Sequence, residues 1–345
     1  SRRGGLHENV PIEKIIAEIA DYLKLSEVES SILVERPLKL VKNEYIKNTP
    51  EASKKNIADA AWLAVNYFDR VGSSETTKTS NMFERALVFY DVLTSLKVYP
   101  TDSIGIGIIN PRSDVPTHEL SAWYETNFVV KTPDALYFMP LFNAIFPGEL
   151  PGEFKGETAF IFPGNRRKLS KKTVIESYTV PGKKVTENSG LFMDTVTIDS
   201  DDILRMSSLA TFKGSVKTVL EDVVDTVEWI RDIEKTLTIP AYQRYRSRKY
   251  DVEGREDELK SLYASYLKNF YGREPDSLLA VDVMSRGITS ENPDMIIHTE
   301  SEFSGLVERL GDDISVSVGR LTGMPEPLTD NERNRLLDVM LPFIS

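Results

Sequence analysis

The side chains with the best claim to chemistry are cations. Arg166, Arg167, Lys168, Lys171, Lys172, Lys183 and Lys184 crowd one stretch, opposed there only by Glu176. A second group, Arg244, Arg246, Arg248 and Lys249, alternates with Tyr242, Tyr245 and Tyr250. Cations interleaved with aromatics suit single-stranded nucleic acid, whose phosphates pair with the charges while its bases stack on the rings. They equally suit acidic patches on a second copy of the chain, because the sequence carries a net charge of −11. That acidity argues against a uniformly basic coat for nucleic acid and leaves a local groove as the alternative.

Other constellations are weaker. Gly105-Ile106-Gly107 hints at a phosphate loop, but no Lys-Ser/Thr follows and no acidic ribose partner is placed after it. The plainer reading is a strand whose glycines admit close approach by another backbone. Asp194, Asp199, Asp201 and Asp202 could together hold Mg²⁺ or Ca²⁺. Yet Ser and Asp ahead of an apolar run are also what a helix N-terminus requires. His7, His118 and His298 are far apart and lack metal-ligand spacing. A Ser–His–Asp relay is a spatial matter, and no Gly-x-Ser-x-Gly elbow announces one. Cysteine is absent, which excludes disulfides, thiolate nucleophiles and Cys-ligated metals. No catalytic residue, metal site or cofactor is assigned.

The elements that would position these groups follow from periodicity. Apolar residues at helical spacing predict helices over 11–25, 26–45 (kinked at Pro37), 49–72 and 80–98. From Ser103 the pattern turns to period two. Strands are predicted near 103–108, 120–130, 157–162, 172–180 and 191–198. A buried irregular helix follows Thr132-Pro133-Asp134 through Phe146. After Asp199 the reading returns to helices, at 203–209, 215–239, 256–271, 275–285, 300–310 and 330–342. Weaker structure is expected at 293–298 and 312–321.

The expected fold is therefore α+β and predominantly α-helical. It has a tail at 1–10, an N-terminal helical lobe at 11–99, a β-rich central insert at 100–199 and a C-terminal helical lobe at 200–345. In layout this resembles the middle-layer shell proteins of double-stranded RNA viruses. It departs from them in having about six strands and a helix where a jelly roll has eight strands.

At 345 residues, 41% hydrophobic and 28% charged, the chain has the composition of an ordinary globular protein. No apolar run approaches the roughly 20 residues that span a bilayer. The basic start, Ser1 to Gly5, leads into Leu6-His7-Glu8-Asn9 rather than an apolar core, so no signal peptide is expected. The expected setting is the cytoplasm or a virion. The expected function is a self-assembling structural protein, a viral capsid or nucleocapsid component, with itself as partner. The alternatives are a nucleoprotein binding single-stranded RNA in a basic cleft, and a divalent-metal enzyme built on the acidic cluster.

Overall fold

The computed structural model describes residues 10–11, 32–71, 82–109, 119–120, 127–139, 146–150, 154–165, 168, 173–181, 189–214, 217, 226–241, 243–244, 260–261, 263–265, 267–268, 273–289, 292–311 and 313–316. Of the helices expected over 11–25 and 330–342, all but Pro11 lies outside these residues. The chain is not predominantly helical. Among the described residues helix takes 37% and strand 35%, and three of the sheets are antiparallel. The chain forms two compact units: Ser1–Gly190 with Phe212–Ser247 and Ser285–Met295, and Leu191–Thr211 with Arg248–Met284 and Ile296–Ser345. No helix among the described residues is long and apolar enough to cross a membrane.

In the first unit, β1 (Val10–Pro11) is a strand where a helix start was expected, and it pairs with β3 (Glu119–Leu120). Helix α1 (Ile32–Leu40) carries Pro37 inside it, and the chain then widens into a π-helical turn over Val41–Ile46. Helix α2 (Lys54–Val71) starts later than Thr49-Pro50-Glu51 suggested. Ser53 is the residue that caps it, accepting the Asn56 N–H at 3.1 Å. Helix α3 (Met82–Leu96) is apolar on nearly all sides and is correspondingly buried almost all round.

These helices lie against a five-stranded antiparallel sheet in the order β5-β4-β2-β6-β7. Its strands are β2 (Gly105–Ile109), β4 (Asn127–Lys131), β5 (Leu136–Phe138), β6 (Thr158–Pro163) and β7 (Glu176–Thr179). Phe83 and Phe89 of α3 meet Phe128 and Tyr137 edge to face, with ring centroids 4.6 and 5.1 Å apart. Burial of each such ring stabilises the fold by about 1.5–3 kcal/mol. Trp62 of α2 donates its indole N–H to the Phe138 carbonyl at 2.8 Å, which satisfies an acceptor on edge strand β5. Helix α4 (Thr226–Thr236) buries Trp229, Ile230 and Ile233, the apolar face its spacing predicts.

The predicted helix through 133–146 is wrong over Leu136–Phe138, which is strand β5. The helix-start signal at Thr132 is instead a hairpin turn. Thr132 N donates to the Ala135 carbonyl at 2.9 Å, and Ala135 N returns a bond to Thr132 Oγ1 at 3.1 Å. Asp, Ser and Thr side chains bond nearby backbone in turns as readily as at helix starts, so the local signal is ambiguous.

The largest correction concerns the C-terminal helical lobe. Its expected helices at 203–209, 275–285 and 300–310 are replaced by strands β9 (Leu204–Lys213), β10 (Ser277–Arg286), β11 (Met295–Phe303) and β12 (Val307–Leu310), followed by β13 (Asp313–Val316). With β8 (Ser189–Ile198), three of these form a sheet ordered β10-β11-β9-β8, while β12 and β13 form a hairpin. The buried row of β9 is Leu204, Met206, Ser208, Ala210 and Phe212, and that of β11 is Met295, Ile297, Thr299, Ser301 and Phe303. Both rows include small polar residues, which hides their period-two pattern. A helical segment does occur within 260–268.

Candidate functional site

The basic residues singled out from sequence fall mostly outside the described residues. Arg166, Arg167, Lys171, Lys172, Lys183, Lys184, Arg246, Arg248 and Lys249 all do. Lys168 is exposed in a turn after β6, its backbone N–H bonded to the Asn165 carbonyl at 2.9 Å. Arg244 is also exposed, and its Nε donates to the Ile239 carbonyl at 3.0 Å.

The acidic cluster does not cap a helix. Asp199 Oδ1 accepts the N–H groups of Asp201 and Ile203 at 2.9 and 3.1 Å, and this closes the β8–β9 turn. Asp202 sits there with φ +61°, a left-handed conformation that aspartate tolerates better than most residues. Its carboxylate takes the Arg309 Nε–H at 2.6 Å. Among the described residues no group of three or more His, Asp or Glu side chains could hold a metal ion.

The glycines of β2 do structural work. Cβ atoms added at Gly105 and Gly107 would lie 2.4 and 2.3 Å from the Ile161 side chain, and 3.0 Å from the Phe162 and Phe160 carbonyls of β6. Their absence lets Ile161 lie over both positions. On the same face Lys131 reaches across to Glu176 at 2.9 Å and lies 5.2 Å from the Tyr178 ring centroid. No phosphate loop is formed.

A cavity of about 350 Å³ in the first unit is lined by Lys55, Asp134, Leu136, Phe146, Glu149 and Tyr178, among others. That volume falls in the range of small-molecule sites. Its ionisable groups are engaged internally. Lys55 pairs with Asp59 at 2.6 Å, Asp134 accepts the Tyr99 hydroxyl at 2.6 Å, and Glu149 pairs with Lys217 at 2.6 Å. Asp59 also accepts the Tyr137 hydroxyl at 2.8 Å. Burial first, and then these carboxylates, push the phenols of Tyr99 and Tyr137 well above the ordinary tyrosine value.

One arrangement in the second unit has the order of a nucleophilic relay. Ser207 Oγ lies 3.1 Å from His298 Nε2, and His298 Nδ1 lies 3.5 Å from Asp282 Oδ2. Ser207 is on β9, His298 on β11 and Asp282 on β10. These strands are neighbours, so the three side chains form a row across the sheet. The buried rows of β9 and β11 take the alternate residues, which places Ser207 and His298 on the opposite face. Sequence reading missed the row because two of its strands were read as helices. Period-two alternation at 204–213 and 295–303 was the signal that could have placed Ser207 and His298.

Compared with known proteins, the chain matches no family model, no curated protein and no solved structure.

Proposed function

We propose that the chain is a self-assembling structural protein that joins further copies of itself through edge strand β8. The observation that carries this is the exposure of three large apolar side chains on that edge: Leu191 at 57%, Met193 at 54% and Val196 at 46%. Among the described residues β8 is the outermost strand of its sheet, and exposed apolar side chains there favour contact with another chain that can lie beside it. Soluble proteins usually guard such edges with Lys, Pro or inward-pointing charge. The sequence of β8, Ser-Gly-Leu-Phe-Met-Asp-Thr-Val-Thr-Ile, has neither Lys nor Pro. The opposite edge, β10, exposes Leu279 and Met284. Pairing of β8 in one copy with β10 in the next is a head-to-tail contact, which builds rings or filaments according to its rotation.

The viral-shell form of this reading rested on helical blocks flanking a β insert. Strands β9 to β13 stand within 200–345 where helices were expected, and the contact proposed is between copies of this chain. Light scattering over a range of concentrations tests it. Mass should rise with concentration and return to the monomer value in L191K/M193K. A monodisperse monomer at high concentration, unaffected by salt, would sink the idea. Single-stranded RNA is an outcome of the same test: assembly that requires added RNA and weakens steeply with salt would assign the contact to phosphate pairing.

A further inference from the structure

We propose that Ser207, His298 and Asp282 form a nucleophilic site that transfers acyl groups from small activated esters to water. The contacts follow the order that such a relay needs. The hydroxyl faces Nε2 of the imidazole at 3.1 Å, within proton-transfer reach. The other ring nitrogen faces the exposed carboxylate of Asp282 at 3.5 Å, a charge contact that favours this orientation of the ring. A relay is recognised by geometry and roles rather than by sequence position. Three strands set these positions, and elements of a sheet hold side chains more firmly than loops do.

In the reaction, Ser207 Oγ attacks the ester carbonyl and its proton passes to His298 Nε2. The carbon–oxygen bond to the leaving group then breaks, and the leaving group takes the proton from His298. Water, deprotonated by the same imidazole, attacks the acyl-serine. The acid is released and the Ser207 proton restored. Asp282 is a positioning residue that orients the ring through Nδ1.

Ser207 and His298 lie on interior strands, whose backbone N–H groups are taken by neighbouring strands. The developing oxyanion is therefore left largely to solvent, and loss of one such donor costs roughly 10²–10³ in rate. This restricts the substrates to esters with good leaving groups, of which p-nitrophenyl acetate is the simplest. The site stands independently of the assembly reading.

The test is covalent labelling by a fluorophosphonate, which forms an Oγ–P bond with release of fluoride, followed by peptide mass mapping. The expected result is a label on Ser207 that is absent in S207A and forms about a hundredfold more slowly in H298A. D282N should slow labelling and D282E should restore it, which a merely structural role would not produce. Circular dichroism of each variant separates loss of the site from loss of fold. No label at Ser207 in the folded protein, or labelling at an unchanged rate in folded H298A, overturns the proposal.

Discussion

The Lys217 ammonium, wholly buried, sits 2.6 Å from a carboxylate oxygen of Glu149. It also donates to the Pro293 and Gly287 carbonyls at 2.9 and 3.1 Å, and lies 4.9 Å from the Phe146 ring centroid. Three donors meet three acceptors, so the charge is satisfied without water. One side chain thereby ties together three stretches of chain that are remote in sequence.

K217M should destabilise the protein by about 3–5 kcal/mol, because it leaves the Glu149 carboxylate buried without its partner. Adding E149L should recover part of that loss. The two carbonyls still lack a donor, at about 1–3 kcal/mol each, so recovery should be incomplete. Urea unfolding of the two variants measures both effects.

The glycines of β2 give a sharper test, because two different atoms of Ile161 occupy their space. A methyl at Gly107 would meet Ile161 Cδ1, and one at Gly105 would meet Cγ2. Each Gly→Ala change should cost about 1–3 kcal/mol through overpacking. I161V removes Cδ1 and keeps Cγ2, so it should relieve G107A and leave G105A unrelieved. Double-mutant cycles read the difference directly, and equal relief at both positions would contradict the packing described.

Alkaline pH should unfold the protein through Tyr99 and Tyr137. Their phenols are raised well above the ordinary 10.0 by burial and by the carboxylates of Asp134 and Asp59. A raised folded pKa gives stability that is fully present below the unfolded value and is lost as pH climbs above it. Stability should therefore fall above about pH 10, with both tyrosines ionising only as the fold opens. Tyrosinate absorbance against pH shows this, and Y137F should flatten the slope while costing about 2 kcal/mol at neutral pH.

Asp276 has the opposite sign. The Ser304 N–H and hydroxyl, at 2.5 and 2.8 Å, hold its carboxyl below the usual aspartate value, with Arg273 adding to them. A depressed folded pKa gives stability that is present above the unfolded value and is lost as pH falls through the folded one. D276N should thus be less stable than the parent at neutral pH. The gap should close as pH drops below 3.8, the ordinary value, in acid-unfolding curves.

Much of the first unit was legible locally. Helices α2 and α3 announced themselves by repeating apolar faces. Strands β2 and β6, and β8 of the second unit, stood close to where alternation and glycine placed them. The misreadings share one cause. Thr132-Pro133-Asp134 and Asp199-Ser200-Asp201-Asp202 are stretches whose side chains bond backbone N–H groups. Such residues serve a hairpin turn as well as a helix start, and which of the two forms depends on what the next apolar residues find to pack against.

By itself the sequence determined the chain's acidity, its lack of cysteine chemistry, its long helices and the turn residues at its corners. Tertiary structure decided what those corners turn into. Leu204–Lys213 and Met295–Phe303 became strands because each found neighbours to satisfy its backbone and to bury a row in which serine and threonine stand among the apolar residues. Strand stability rests on cross-strand partners remote in sequence, which local propensity does not encode. The row of Ser207, His298 and Asp282 exists only because three such strands came to lie side by side.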